Sequence, residues 1–272
     1  MKNWQKMLAA GLAAVMMAAV AAGCGGEQAK SSGSGSGAAD NKKIVVGLDD
    51  NFPPMGFKGD DGQITGFDID LAKEATKRLG REVEFKAIDW SSKEAELKSG
   101  RVDVLWNGLD ITEKRKENML FSEPYMDNRQ IIFVKKGDSS VTDEKSLAGK
   151  TIGTQSASTS EEYMDANDFF KKDVKEVKKY SDFVSAFMDL ENGRLDAVVG
   201  DEIVGRYYMS KHADKLDAVD VAVGPVSTFG IGFAKENQAL RDEVQKVLDE
   251  MKADGTMAKI SEKWFGKDIT KK

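Results

Sequence analysis

Short apolar runs typical of buried β-strands alternate along the chain with segments whose apolar residues recur at helical spacing. In the clearest helical segment Phe67, Leu71 and Ala75 form one stripe. Asp68 stands where an N-cap is expected, and Gly80 ends the pattern. Regular alternation of strands and helices predicts an α/β fold with mixed, mostly parallel sheets.

The predicted elements follow from these periods and from the Gly, Asn and Asp residues that separate them. The pattern predicts strands at 44–48, 83–87, 102–106, 130–134, 151–154, 174–178, 197–200 and 228–234. It predicts helices at 67–79, 91–98, 112–117, 158–170, 181–191, 202–211, 237–253 and 256–265.

One internal repeat bears on the site. The pentapeptide SGRVD at 99–103 recurs as NGRLD at 192–196, each time between a predicted helix and a predicted strand. Glycine commonly ends a helix, and this alone explains the glycines of the repeat. It does not explain why the first strand continues to Asp110 and the second to Asp201. Ligands of open α/β sheets bind beyond the carboxyl ends of strands. The repeat therefore predicts two lobes that present acidic loops to one cleft.

The N-terminal segment has the sequence pattern of an exported protein. Lys2 and Lys6 precede an uncharged apolar stretch at 7–22 and a small-residue end before Cys24. This order is typical of a secretory signal peptide over 1–23. The stretch is short for a spanning helix, which needs roughly 20 apolar residues. The alternative is an uncleaved membrane anchor.

The next segment, 24–41, is rich in Gly, Ser and Ala and predicts a flexible tether. Cys24 is the single cysteine, so no internal disulfide is possible. The net charge of −6 becomes −8 once Lys2 and Lys6 are removed, with 38 basic residues against 46 acidic ones. Such an acidic chain argues against nucleic acid as a partner.

Seven sequence pieces, in order, carry a resemblance that spans the chain after the tether. It resembles the amino-acid-binding receptors of bacterial importers, the type-3 solute-binding proteins. The pieces are IVVG at 44–47, FPPMGF at 52–57, GFDIDLA at 66–72, ITEKR at 111–115, FSEPY at 121–125, LDAVV at 195–199 and KWFG at 263–266. Gly23-Cys24 also resembles a lipoprotein lipobox, although Ala21 stands where a larger aliphatic residue is usual.

The resemblance implies a two-lobed periplasmic-binding-protein-like fold with two hinge strands, closing around a ligand. Lobe 1 would comprise 42–127 plus 229–272, and lobe 2 would comprise 128–228. The lipidated Cys24 would anchor a monomer on the extracytoplasmic face of the cell membrane, beside the permease subunits of an ABC importer.

Three charged residues are candidates for holding an amino acid. Arg115 would bind the carboxylate, because a guanidinium matches it bidentately; the alternative is an exposed helix arginine. Asp201 would pair with the ammonium, or else cap the following helix. Asp110 stands where relatives often carry Ser or Thr; it would strengthen the ammonium contact or reach a cationic side chain, or else cap a helix.

Further candidates surround these three. Phe52 and Trp90, which is predicted to end a strand, match aromatic positions that sandwich the ligand side chain in relatives. Phe57 and Phe67 are interpreted as core. The segment at 155–159 would offer main-chain N–H groups to the carboxylate, with Ser158 alternatively a helix cap. The complete candidate set is Asp49, Phe52, Trp90, Asn107, Gly108, Leu109, Asp110, Arg115, Gln155, Ser158, Thr159 and Asp201.

Other function classes are weighed against reversible binding. A dehydratase-like enzyme on the same fold would use Asp110 or Glu202 as a general acid; an amino-acid sensor is a third alternative. With one cysteine and a surface-type His212, no metal or cofactor is expected. Asp49, Asp110 and Asp201 give the predicted cleft three carboxylates against the cation of Arg115, with no second cation evident. This excess of negative charge favours a cationic or neutral polar amino acid as the ligand. Cystine, glutamine and histidine stay open.

Overall fold

The computed structural model describes residues 43–272, and every structural statement below concerns these residues. The predicted signal peptide, the lipidation site Cys24 and the tether at 24–41 lie outside the described residues, so those three expectations stay predictions.

Strands and helices alternate along the described chain. The strands are β1 (Ile44–Leu48), β2 (Asn51–Phe52), β3 (Gly56–Lys58), β4 (Ile64–Thr65), β5 (Val83–Ala87), β6 (Val104–Asp110), β7 (Met119–Phe121), β8 (Met126–Asn128), β9 (Gln130–Lys135), β10 (Thr151–Gln155), β11 (Glu176–Tyr180), β12 (Ala197–Asp201), β13 (Leu216–Ala222) and β14 (Ser227–Ala234). The helices are α1 (Phe67–Arg78), α2 (Lys93–Lys98), α3 (Glu113–Lys116), α4 (Thr159–Ala166), α5 (Asp168–Lys172), α6 (Phe183–Glu191), α7 (Glu202–Lys211), α8 (Gln238–Ala253) and α9 (Thr256–Phe265).

The first sheet defines lobe 1 and has the strand order β5-β1-β6-β14-β7, with β8 also paired to β14. Strand β1 runs parallel to β5 and β6, whereas β14 runs antiparallel to β6, β7 and β8. Helices α1 and α8 pack on this sheet, and α9 packs on both of them. A small antiparallel sheet, β2-β3-β4, lies beside α1.

The second sheet defines lobe 2 and has the order β11-β10-β12-β9-β13. Strand β10 runs parallel to β11 and β12, whereas β9 runs antiparallel to β12 and β13. The strands β6 and β12 occupy the same central place in the two sheets and are buried along their whole lengths. The prediction of a two-lobed α/β fold with mixed sheets is confirmed. The expectation that the sheets are mostly parallel is wrong, because the two large sheets contain four parallel and five antiparallel strand pairings.

The internal repeat has the same structural role in both lobes. Both of its glycines adopt positive φ, 69° and 73°, and end the preceding helix. The aspartate of each copy is hydrogen-bonded to the neighbouring parallel strand. Asp103 accepts from the Val45 N–H at 2.8 Å, and Asp196 accepts from the Thr151 N–H at 2.7 Å. The repeat therefore sets the start of the central strand, and that strand leads to the cleft.

The chain crosses between the lobes twice, from β8 to β9 and from β13 to β14. The lobes are closed on each other. Asn51 Nδ2 donates to Asp182 Oδ1 at 2.7 Å, and the rings of Phe52 and Phe183 lie 6.2 Å apart. One apolar cluster consequently contains residues of both lobes.

Three local predictions are wrong. Asp68 does not cap α1, because the helix begins after Gly66 and buries Asp68 in its first turn. Trp90 does not end a strand; β5 stops at Ala87 and Trp90 opens a short 3₁₀ turn capped by Asp89. The long helix predicted at 158–170 breaks at Asn167, whose side chain caps α5. The short strands β2, β3, β4, β7 and β8 and the edge strand β13 were not predicted.

Candidate functional site

Arg115 is positioned by the short helix α3, whose N-cap Thr112 accepts from the Arg115 N–H at 3.2 Å. The side chain of Arg115 is 2 % exposed, whereas those of the flanking Lys114 and Lys116 lie at the surface. The alternative interpretation, an exposed helix arginine, is therefore wrong. A buried guanidinium requires anions or carbonyl oxygens around it.

The partners of Arg115 come from both lobes. Its Nη1 donates to the main-chain oxygen of Asp110 at 3.1 Å. Its Nε and Nη2 both donate to Glu162 Oε1 on α4, at 3.3 and 3.1 Å, and Nη2 also donates to the Ala157 oxygen at 3.2 Å. Since a guanidinium has five N–H donors, one N–H of Nη1 has no acceptor among residues 43–272 and is left for a further one.

Asp201 ends β12 and is 5 % exposed. Its Oδ1 accepts from Gln130 Nε2 at 2.9 Å and from Asn128 Nδ2. Burial, together with the neighbouring charge of Asp110, raises the pKa of Asp201 to about 7, while the two amide bonds and Arg115 oppose the shift. Arg115 and Asp201 therefore act on each other within one buried network.

Asp110 ends β6 at the matching place in lobe 1 and is 3 % exposed. Asn128 Nδ2 donates to its Oδ1 at 3.0 Å and thereby bridges Asp110 to Asp201. The capping alternatives for both aspartates are wrong. Helix α3 is capped by Thr112, and Asp201 forms no side-chain cap on α7.

Asp49 and Gln155 join the lobes at a second point. Gln155 Nε2 donates to Asp49 Oδ2 at 2.6 Å and to the Ser181 oxygen at 3.0 Å. Burial raises the pKa of Asp49 to about 7, against the bonds from the Asn51 N–H and from Gln155. A cavity of about 420 Å³ adjoins this pair and contains four carboxylates and one lysine; its lining is Asp49, Asp50, Asn51, Lys58, Ile88, Asp89, Trp90, Ser181 and Asp182.

The aromatic candidates are buried at the lobe interface. Phe52 is 5 % exposed and contacts Phe183 of lobe 2. Trp90 is 6 % exposed, and Lys93 Nζ lies 5.1 Å from its ring centroid. Phe67 is core, as predicted. Phe57 is half-buried and contacts the ring of Tyr207 in lobe 2 at 5.9 Å, so it belongs to the lobe interface as well.

The β6 candidates that precede Asp110 shape the backbone of the cleft. Asn107 Oδ1 accepts from the Asp49 N–H at 3.1 Å. Gly108 has φ 57°, and its N–H donates to the buried Asp68 at 2.7 Å. Leu109 packs in an apolar cluster of lobe 1 with Trp90. Burial raises the pKa of Asp68 to about 7, although the bonds from Gly108 and Tyr125 lower it.

The turn before α4 brings the candidates Ser158 and Thr159 to lobe 1. Ser158 caps α4 by accepting from the Glu161 N–H at 3.1 Å, which confirms its alternative interpretation as a helix cap. Thr159 Oγ1 donates to Asp110 Oδ2 at 2.5 Å. The turn is reached with Ala157 at φ 56°, a left-handed conformation that glycine adopts more readily.

Four contributors were missed in the sequence. Asn128, Gln130 and Glu162 contact the charged candidates, as described above. Lys93 is 2 % exposed, and its Nζ donates to the Ala157 oxygen at 2.8 Å. Burial, together with the charge of Arg115, lowers the pKa of Lys93 to about 8. The expectation that Arg115 is the sole cation of the cleft is therefore wrong.

The structure also bears on the other function classes. Glu202 accepts from Arg129 and Arg206, and these bonds lower its pKa, which makes it a poor general acid. Within 43–272, no three His, Cys, Asp or Glu side chains form a cluster that could hold a metal ion. Among the described helices, none is long and apolar enough to cross a membrane.

The comparisons with known proteins agree with this architecture. Residues 44–267 match the family model of the bacterial extracellular solute-binding proteins, family 3, and the chain belongs to that family. It is 34 % identical over 229 residues to the L-cystine-binding protein TcyJ of Escherichia coli K12, covering 84 % of each chain.

Two solved structures extend the comparison. A substrate-binding protein of an ABC uptake transporter from Streptococcus pneumoniae, with bound histidine, has TM-score 0.82 and 36 % identity, covering 86 % of this chain and 96 % of that one. An ancestral arginine-binding protein bound to arginine has TM-score 0.77 and 42 % identity, covering 82 % and 98 %.

Proposed function

We propose that this protein is the substrate-binding receptor of an ABC importer and captures a polar L-amino acid between its two lobes. The observation that carries the proposal is the buried network that joins Arg115 of lobe 1 to Asp201 of lobe 2. A cation and a carboxylate in one shared cleft match the two charged groups of a zwitterion. The cystine, histidine and arginine ligands of the relatives support the same class of substrate.

In this proposal Arg115 binds the α-carboxylate through the remaining N–H of Nη1 and through donors released when Glu162 moves. Asp201 accepts hydrogen bonds from the ammonium of the ligand. The positive charge of the ammonium stabilises the ionised carboxylate, which burial would otherwise keep protonated. Phe52 and Trp90 desolvate the ligand side chain. In the turn at 155–159, the N–H groups of Ser156, Ala157 and Ser158 already donate to acceptors within the protein, so the N–H of Thr159 at the start of α4 would be the one offered to the carboxylate.

The charges around the cleft support a cationic or neutral polar side chain. Asp49, Asp50, Asp89 and Asp182 line the adjoining cavity with Lys58 as its one cation. A side chain that extends into this cavity meets a net negative charge. An acidic ligand is disfavoured there by like-charge repulsion. Lys93 does not reverse this preference, because it is held beside Arg115 on the Ala157 oxygen.

The cellular arrangement is part of the same proposal. Cys24 would carry the lipid that holds the protein on the extracytoplasmic face of the membrane, after removal of the signal peptide. We place the lobe borders at the two crossings, after β8 and before β14, within one or two residues of the expected 127/128 and 228/229. The receptor would act as a monomer and deliver its ligand to the permease subunits without a cofactor.

Isothermal titration calorimetry of detergent-solubilised protein with single L-amino acids tests the proposal. Arginine, lysine, histidine, glutamine, cystine, glutamate and leucine form a suitable panel. We expect one or more cationic or neutral polar members to bind at micromolar Kd or tighter, about −8 kcal/mol. Absence of heat with every member, from protein of native circular dichroism, would contradict it. A sensor subunit would give the same heats, and its partner proteins would distinguish it.

A further inference from the structure

The carboxylate of Asp110 has an unusual set of donors. Its Oδ1 accepts from Asn128 Nδ2 at 3.0 Å and from Ser227 Oγ at 2.5 Å. Its Oδ2 accepts from Thr159 Oγ1 at 2.5 Å. Asn128 ends β8, immediately before the first crossing between the lobes, and Ser227 begins β14, immediately after the second. Thr159 opens α4 in lobe 2.

One side chain of lobe 1 is therefore bonded to both crossings and to the facing lobe. The crossings also pair with each other, since Ser227 and Asn128 are register partners of β14 and β8. The angle between the lobes depends on the backbone at these crossings. Because the buried side chain of Asp110 bonds to both crossings, it restricts the closed lobes to one angle.

The type of residue at 110 matters for this arrangement. An ionised carboxylate has about four acceptor positions, so it accommodates three donors. The hydroxyl of Ser or Thr, which the resemblance leads one to expect there, has two acceptor positions and must place a proton of its own. A hydroxyl therefore cannot accept from Asn128, Ser227 and Thr159 together. The aspartate is the residue that fits.

We infer that Asp110 is a positioning residue that fixes the closed angle of the lobes by holding both crossings, and not primarily a contact for the ligand. With three donors bound, Asp110 has one of its about four acceptor positions left, whereas the two amide donors of Asp201 both bond to its Oδ1 and leave its Oδ2 to accept from an ammonium. This inference deepens the proposed function but rests on contacts between the protein's own residues. It is therefore testable without any ligand.

The ligand-free test is hydrogen exchange measured by mass spectrometry on peptides that cover 126–131 and 224–229. Asp110→Ala should accelerate exchange at both crossings by about tenfold or more, because the two are released together. Ser227→Ala should accelerate it as well, and adding Ser227→Ala to Asp110→Ala should give no further change. Ser210→Ala is the matched control, since in the described part of the chain that hydroxyl bonds to the Tyr207 oxygen alone.

Three results would overturn the inference: acceleration at only one crossing, no acceleration in Asp110→Ala, or independent, multiplying effects of the two substitutions. Asp110→Asn keeps an acceptor oxygen for Asn128 and Ser227 and should exchange more slowly at both crossings than Asp110→Ala. Equal exchange in these two variants would also contradict the inference.

The second test measures the dissociation rate of bound L-arginine. Ser227→Ala should speed arginine dissociation by about three- to tenfold, although Ser227 is not assigned to the ligand. An unchanged dissociation rate in Ser227→Ala would count against the inference. If the wild-type protein binds no amino acid, the proposed function fails, while the exchange data still decide the role of Asp110.

Discussion

Arg115 donates from Nε and Nη2 to the carboxylate of Glu162, so the guanidinium assigned to the ligand already holds an anion from the opposite lobe. Glu162 is 21 % exposed at its side chain, whereas Arg115 is 2 % exposed. The glutamate can therefore rotate toward water while the arginine stays in place. A ligand carboxylate and Glu162 compete for the same donors.

Glu162→Gln should therefore tighten amino-acid binding, by about three- to tenfold, because a neutral amide competes less well for a guanidinium than a carboxylate does. Titration calorimetry measures the change. Asp165→Asn on the same helix is the control, since Asp165 pairs with Lys179 and not with Arg115. Weaker binding in Glu162→Gln would mean that Glu162 orients Arg115 instead of competing with the ligand.

Arg115→Ala should weaken binding by at least about 100-fold, because the ligand carboxylate would be buried without its cation. Lys116→Ala on the same short helix should leave the affinity within about twofold, since Lys116 pairs with Glu113 at the surface. Arg115→Lys should lie in between, because a lysine lacks the planar fork. Equal losses in Arg115→Ala and Lys116→Ala would exclude Arg115 from the binding site.

Binding should weaken as the pH falls below about 7. Burial raises the pKa of Asp201 and of Asp49 to about 7, so below that pH these carboxyls hold protons in the free protein. A ligand cation beside either carboxyl lowers its pKa, so binding releases protons, and each proton reduces affinity by up to about tenfold per pH unit.

Calorimetry in buffers of different ionisation enthalpy counts the protons released at each pH. Asp201→Asn should flatten the pH dependence and also weaken binding, because the amide cannot pair with an ammonium. Proton uptake in place of release, or an affinity that is constant between pH 5 and pH 8, would show that neither carboxyl meets the ligand cation.

The same raised pKa values fix the sign of the stability change in the ligand-free protein. Between about pH 4 and pH 7 the folded state holds more protons on Asp49, Asp68 and Asp201 than the unfolded state does. These three groups therefore contribute a free energy of unfolding that falls as the pH rises through this window. Urea unfolding at pH 5 and pH 7 measures it, and Asp68→Asn should reduce the fall.

Gly108→Ala should destabilise the protein and weaken binding. The residue has φ 57°, and a Cβ there would lie 2.7 Å from Phe52 Cε1. The combined cost of backbone strain and overpacking is about 2–4 kcal/mol. Gly137→Ala is the matched control, because it has φ 81° and open space around the added carbon. Equal losses of stability in the two variants would mean that the contact with Phe52 costs nothing.

The sequence predicted the parts of the site that depend on local pattern. The repeat at 99–103 and 192–196 located the central strands β6 and β12 and the carboxylates at their ends. The ITEKR piece identified Arg115 through resemblance, although composition alone favoured an exposed residue. These features follow from helix stops and strand ends, which are encoded within a few residues.

Two of the missed contributors, Lys93 and Glu162, make their contacts across the two lobes, and no local pattern encodes such contacts. From the sequence, Lys93 is expected to be a surface lysine at the start of a polar helix, whereas in the structure it is buried and donates to the Ala157 oxygen of the facing lobe. Glu162 is one of two adjacent glutamates, and the helical pattern does not reveal which one meets Arg115. The polar run Asn128-Arg129-Gln130 beside a predicted strand was the available signal for the two amides.

The most direct test of the central claim is a crystal structure of the protein with its bound amino acid, including any ligand carried over from the cells. We expect the α-carboxylate within hydrogen-bond distance of Arg115 and the ammonium within hydrogen-bond distance of Asp201. A ligand bound elsewhere would contradict it, for example in the cavity of about 1010 Å³ lined by Tyr207, Val226 and Phe265, with no contact to either residue.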